Sequence, residues 1–144
     1  MKKLKIFIVE DNFFYANLLK SKIEDLRPCE VRVFKTVENA MRIIHEQPDI
    51  ILLDHNLPDG KGLELLKEIK STYPNIQCVM ISGQSTIDVA IKALKFGATD
   101  YLIKGKDDNN ENLKKVIDSC ELLSGAIKNP KPGFFSNKSF NLSL

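Results

Sequence analysis

One rhythm constrains this chain more than any other feature. A short apolar run is followed by a segment whose apolar residues recur at helical spacing, and the pair repeats five times. The runs are KIFIV (5–9), VRVF (31–34), DIILL (49–53), QCVMI (77–81) and YLI (101–103). Phe14, Leu18, Leu19, Ile23 and Leu26 mark a first helix, and Ala40, Met41, Ile43 and Ile44 a second with Thr36 as its N-cap. Leu63, Leu65, Leu66 and Ile69 mark a third. Ile87, Ala90, Ile91 and Leu94 mark a fourth, capped by Ser85 and stopped at Gly97, and Leu113, Val116, Ile117, Cys120 and Leu123 a fifth. Strands separated by helices cannot close as hairpins. They need crossovers, which implies a parallel sheet with helices on both faces.

The strand patterns order that sheet. Strands one, three and four are unbroken apolar runs, as expected where helices cover both faces. VRVF alternates, with Arg32 directed away from Val31 and Val33, and suits an edge; the brief YLI suits the other. Right-handed crossovers then favour the order 2-1-3-4-5, a flavodoxin-like three-layer (βα)5 α/β fold. A length of 144 residues, 43% hydrophobic, suits one domain with an ordinary core. The domain is expected to span 1–124. The segment 125–144, punctuated by Asn129, Pro130, Pro132 and Gly133, is expected to be a linker-like tail or an extension that docks through Phe134, Phe135 and Phe140.

Several function classes lose support. The net charge is +2 with no long basic run, so this domain is not expected to bind nucleic acid directly. Cys29, Cys78 and Cys120 form no CxxC pair, which argues against zinc and against a disulfide framework. Cys78 and Cys120 fall on apolar faces and read as buried small hydrophobes. The apolar part of MKKLKIFIVED is broken by Glu10 and Asp11, too soon for a secretory signal, and no run approaches a membrane span. A cytoplasmic setting is expected.

The chemistry lies at the strand ends. In open α/β sheets ligands bind outside the carboxyl ends of the strands, near the switch in strand order. Strand one ends in Glu10 and Asp11, strand three in Asp54, strand four in Ser82 and strand five in Lys104. Strands one and three are neighbours in the expected order, so three carboxylates should meet. A pair about 4 Å apart costs roughly 4 kcal/mol at an effective dielectric near 20, a cost relieved by a cation, a protonated acid or a nearby lysine. Oxygen-only ligands suit Mg²⁺, and Ser82 and Lys104 complete a site fit for a phosphoryl group. His55 is expected to be exposed beside the site and not catalytic, because neighbouring strand positions face opposite sides. Asp59 reads as a turn former in Pro-Asp-Gly, and Gly62 as a turn residue.

VEDN (9–12), ILLDHNLPDGKG (51–62), VMISG (79–83) and KFGATDYLIK (95–104), evenly spaced through the five βα units, resemble the receiver domain of two-component response regulators over about residues 4 to 124. The resemblance implies that Asp54 accepts a phosphoryl group from the phosphohistidine of a sensor histidine kinase or phosphotransfer protein. It implies that Glu10, Asp11, Asp54 and the backbone carbonyl of Asn56 hold Mg²⁺. It further implies that Ser82 and Lys104 bind the phosphoryl group and that Tyr101 is the switch aromatic. Asn56 and Gln84 would tune attack by water on the acyl phosphate. The interaction surface of helix four, strand five and helix five would change shape for a downstream output domain or protein, or in a homodimer. Such a domain is a signalling switch and not an enzyme. Two positions depart from the family pattern: Gly105 replaces the usual proline after the lysine, and Ser82 replaces the commoner threonine. An Asp-nucleophile phosphohydrolase is disfavoured, because Asn56 stands where its second Asp would be. A phosphorylation-independent interaction module is disfavoured by the intact Asp11, Asp54 and Lys104.

Overall fold

The computed structural model describes residues 3–83 and 86–128. Five strands, β1 (Leu4–Val9), β2 (Cys29–Phe34), β3 (Ile50–Asp54), β4 (Gln77–Ser82) and β5 (Asp100–Ile103), pair in parallel in the order β2-β1-β3-β4-β5. The flavodoxin-like arrangement read from the sequence is the one observed. The helices are α1 (Phe13–Leu26), α2 (Val37–Arg42), α3 (Gly62–Thr72), α4 (Ile87–Lys95) and α5 (Asn110–Lys128), the last continuing past Ser124. A two-residue antiparallel ribbon joins Asn56–Leu57 to Gly60–Lys61.

Alternation along the strands makes two cores. Ile6, Ile8, Ile50, Leu52, Val79, Ile81 and Leu102 pack with Leu19 and Ile23 of α1 and with Leu113, Ile117 and Cys120 of α5. Phe7, Val9, Ile51, Leu53 and Met80 face the other way, onto Ala40 of α2, Leu65, Leu66 and Ile69 of α3, and Ala93 of α4. All five residues of β3 are buried. Burying Ile50, Ile51, Leu52 and Leu53 contributes on the order of 6–12 kcal/mol, enough to carry Asp54 to a strand end crowded with like charge. Cys78 and Cys120 are fully buried free thiols, and burial pushes both up to about 12. No helix among the described residues is long and apolar enough to cross a membrane.

Three helices differ from the periodic reading. In α1, Phe14 and Leu18 are not core residues: Phe13, Phe14 and Leu18 are 72%, 84% and 52% exposed, while Ala16, Leu19 and Ile23 are buried. In α4 the stripe Ile87, Ile91 and Leu94 is likewise outward, and only Ala93 is buried. α1 lies on the sheet through Ala16, Leu19 and Ile23 and α4 through Ala93 alone, so each turns a large apolar stripe away from it. The second helix stops at Arg42, and Ile44 belongs to a separate 3₁₀ turn, Ile44–Glu46. Pro48 follows, and it disfavours helical backbone at Gln47, which adopts φ 50° instead. Thr86, not Ser85, precedes α4, and its side chain makes no cap hydrogen bond. Ser85, Gln84 and the tail from residue 129 lie outside the described residues. Gly97 does end α4, with φ 101° and its N–H donating to the Leu94 carbonyl.

The N-terminus of α2 is capped twice. Thr36 accepts from Asn39 N–H, as expected, and Asp59 reaches across from the loop after β3 to accept from Val37 and Glu38 N–H at 2.9 and 3.0 Å. Those two backbone hydrogen bonds hold the Asp59 carboxyl below its ordinary value. A depressed folded-state pKa stabilises the fold above the unfolded value of about 3.9 and stops doing so as pH falls through the folded one. Asp59→Ala is therefore expected to lower the thermal midpoint at pH 7, with the gap to wild type closing on acidification below about pH 4. Circular-dichroism melts across pH check this; a gap that is constant down to pH 2 would contradict the capping role.

Candidate functional site

β1 and β3 are neighbours in register, Val9 opposite Leu53, so the residues that follow each meet at one edge. There Glu10, Asp11 and Asp54 each offer a carboxylate oxygen, all within 4.8 Å of one another. Glu10 and Asp54 are buried, at 4% and 8% exposure, whereas Asp11 is open to solvent. Burial raises the Glu10 carboxyl above its ordinary value, although Lys104 and the Asn12 N–H, at 3.1 Å, oppose the shift. Lys104 enters from the end of β5. Its Nζ contacts Glu10 Oε1 directly and stands 3.4 Å from Asp54 Oδ2. Its ammonium supplies part of the neutralisation that the acid cluster needs. Three hard oxygen donors this close, one of them exposed, fit a divalent cation that keeps much of its water.

Ser82 closes β4 at 1% exposure, and its carbonyl accepts the Lys104 N–H at 2.8 Å, which ties the ends of β4 and β5 together. Asn56 is exposed in the ribbon directly after Asp54 and pairs with Lys61. Tyr101 is half-buried on β5, packed against the core under α3 and α4 and away from the acid cluster. The structure thus brings Glu10, Asp11, Asp54 and Lys104 together, with Ser82 and Asn56 on adjoining backbone and Tyr101 on the far side of the sheet. Gln84 lies outside the described residues. The Lys104–Gly105 peptide is not cis, and Gly105 adopts φ 80°, a region closed to proline, so this loop follows a path that the family's usual residue could not.

His55 corrects an expectation. It is buried, not exposed, with 9% accessibility. The chain folds back over it: its carbonyl accepts from Gly62 N–H at 2.9 Å, and its own N–H donates to the Ile81 carbonyl. Burial, and after it the Lys61 charge, lower its pKa, which keeps the ring neutral with Nδ1 unpartnered.

Three residues shape the site in ways that sequence patterns do not show. Gly62 is not only a turn residue: a Cβ there would stand 2.2 Å from the Asp54 carbonyl oxygen. Nothing local in the sequence announces that approach. Tyr15 places its ring under Lys104, with Nζ 4.8 Å from the ring centroid, and its hydroxyl donates to Asp108 at 2.6 Å. Burial, and then the Asp108 carboxylate, push the Tyr15 phenol far above its ordinary value, so it remains a donor. Burial raises Asp108, but hydrogen bonds from Tyr15 and the Gly105 N–H outweigh it and hold the carboxyl below its usual range.

Known proteins share this arrangement of strands. The family model described as response regulator receiver domain matches residues 6–118. Response regulator protein PilR of Pseudomonas aeruginosa is 34% identical over 108 residues, covering 74% of this chain and 24% of that protein. Regulatory protein LuxO of Vibrio cholerae is 35% identical over 123 residues, covering 85% of this chain and 26% of that one. The chain thus spans about a quarter of the length of these curated relatives. Among solved structures, NtrX of Brucella abortus in complex with ADP superposes with a TM-score of 0.79 at 28% identity, over 88% of this chain and 29% of that one. The BeF3-activated receiver domain of DrrB, a Thermotoga maritima protein, gives 0.75 at 26% identity, over 84% and 99%.

Gly62→Ala tests the close approach. Helix propensity alone would favour alanine by about 1 kcal/mol, but the clash is with backbone, which cannot swing aside. A net loss of roughly 1–3 kcal/mol is expected in urea unfolding, the range for overpacked sites. A variant as stable as wild type would show that Asp54 and α3 are not in contact.

Proposed function

Because this chain belongs to the response regulator receiver family, we propose that it is a phosphoacceptor switch, phosphorylated on Asp54 by a histidine kinase or phosphotransfer protein in a Mg²⁺-dependent reaction. The observation that carries the reading is the convergence of Glu10, Asp11 and Asp54 on one point, with Lys104 against two of them. Glu10, Asp11, Asp54 and the Asn56 carbonyl would hold the cation. When bound, Mg²⁺ neutralises the charge of the cluster and of an incoming phosphoryl group.

The chain's own residues account for the rest. An Asp54 carboxylate oxygen attacks phosphorus while the bond from phosphorus to the donor's imidazole nitrogen breaks, and the imidazole departs with that electron pair. Lys104 needs only a short swing from Glu10 to meet the new oxygens, since its ammonium already faces Asp54. The Ser82 hydroxyl adds a donor, and its carbonyl, bonded to Lys104 N–H, obliges β4 and β5 to move as one. Tyr101 sits on that same β5, and α4 beside it carries the outward stripe Ile87, Ile91 and Leu94. An apolar stripe of that kind supports the assignment of α4, β5 and α5 as the surface that an output domain or protein reads. The reaction is the domain's own modification and its reversal, with no turnover of an external substrate.

Incubation with acetyl phosphate and Mg²⁺, followed by intact mass, tests the reading. Wild type should gain one phosphoryl group, and Asp54→Asn should gain none. Removing Mg²⁺ with EDTA should abolish the gain. A wild type that stays unmodified under all conditions would favour a phosphorylation-independent interaction module.

A further inference from the structure

Tyr15 takes no part in the phosphoryl transfer itself, yet its ring meets the ammonium of Lys104. A lysine ammonium rides on a flexible four-carbon stem, and holding it in one place carries an entropic cost. Glu10 and Asp54 draw Lys104 by charge. The Tyr15 ring adds a second kind of contact, its centroid 4.8 Å from Nζ, within the range where a ring face attracts a cation. The ring itself is fastened at its far end. Its hydroxyl donates to Asp108 Oδ2 at 2.6 Å, a charge-assisted bond to a residue only 8% exposed. Asp108 is fixed in turn: Oδ1 accepts from the Gly105 N–H at 3.0 Å, and its carbonyl accepts from Lys22 Nζ at 3.3 Å. Gly105 directly follows Lys104. The tether therefore closes a ring of contacts, from Lys104 along the chain to Gly105, across to Asp108, on to Tyr15 and back to the ammonium.

We propose that Tyr15 is a positioning residue for Lys104: anchored through its hydroxyl to Asp108, it holds a π face against the ammonium and confines it to the Glu10–Asp54 pocket. Tyr15 touches no reacting atom; it acts through the lysine. The kinetic consequence rests on the phosphoacceptor reading, because a confined ammonium meets phosphoryl oxygens without a search. Tyr15→Leu removes both ring and tether. Tyr15→Phe keeps the ring and loses the tether, so its effect is expected to be intermediate.

The test uses two readouts on the full chain. The first is NMR of the lysine side chains with ¹³C labelling, Lys104 being assigned from Lys104→Ala. Its Cε protons should be shifted upfield by the ring in wild type, less so in Tyr15→Phe, and not at all in Tyr15→Leu. The second is the rate of phosphoryl uptake from acetyl phosphate with Mg²⁺ at saturation. It should fall by roughly 3- to 30-fold in Tyr15→Leu, the span a cation–π contact of this kind covers, with the half-saturating concentration unchanged. In a Lys104→Ala background, Tyr15→Leu should cause no further slowing. Equal slowing in both backgrounds, or a Lys104 resonance indifferent to Tyr15, would overturn the proposal. If Tyr15→Leu does not fold, Tyr15→Phe carries both readouts. If wild type takes up no phosphoryl group, the phosphoacceptor reading fails, and the resonance shift still decides the positioning.

Discussion

Placing three carboxylates within 4.8 Å of one another is the constraint around which the rest of this molecule is arranged. At an effective dielectric near 20, a single such pair costs roughly 4 kcal/mol, so the sheet must be stiff enough to impose the arrangement. It is stiff because β1 and β3 are apolar on both faces and covered by helices on both sides. Lys104 relieves part of the repulsion. It comes from the last strand, so the site is complete only when β5 has docked against β4. Fold and site are therefore coupled at the level of strand order: an order that parted β1 from β3 would separate the acids from one another.

Much of this is legible in the amino-acid sequence. Apolar runs with helical segments between them specify a parallel sheet, and the alternating Arg32 marks an edge, where it indeed lies over the Phe7 and Phe34 rings. The acids, Ser82 and Lys104 are legible because strand ends are points the chain order defines. Periodicity fails where tertiary packing decides. It shows that Phe14 and Leu18, or Ile87, Ile91 and Leu94, share a stripe, but not that the stripe faces outward, because Ala16, Leu19 and Ile23 in α1, and Ala93 in α4, are the residues buried instead. The burial of His55 escapes the pattern for a related reason. Opposite faces of a strand are inferred correctly, but a loop folding back over the second face is not visible in a two-residue pattern. Asp108 carries no signal at all, since its partners Tyr15 and Gly105 depend on how a loop turns.

The loop after β3 shows how the fold holds chemistry still without rigid secondary structure. Asp59 ties its tip to α2, and the ribbon pairing of Asn56 with Lys61 closes its base. Gly62 then brings α3 against the Asp54 carbonyl. Three independent fastenings act on this one short loop, so Asn56 stays beside Asp54 although its own side chain is exposed. The glycine is the least replaceable of the three. A cap can be lost and water can take its place, but two backbones that touch leave no room for a side chain.

The opposite end of the site is fastened differently, and the difference bears on how a signal would travel. Lys104 is held by charges and by a ring face, contacts that can be exchanged without breaking backbone hydrogen bonds. Its N–H remains bonded to Ser82, so a pull on the ammonium is transmitted to β4 and β5 together. Leu102 on β5 faces the core under α1 and α5, while Tyr101 faces the core under α3 and α4. A displacement of one strand thus reaches both helical layers at once, and the helix nearest that motion, α4, is anchored by only one buried residue, Ala93. An element with a single small anchor can shift at little cost, and here it is also the element that turns Ile87, Ile91 and Leu94 to solvent. Acids fixed at the centre and an apolar helix seated on one buried alanine at the edge are what the proposed switch would require, chemistry that stays still while the surface moves.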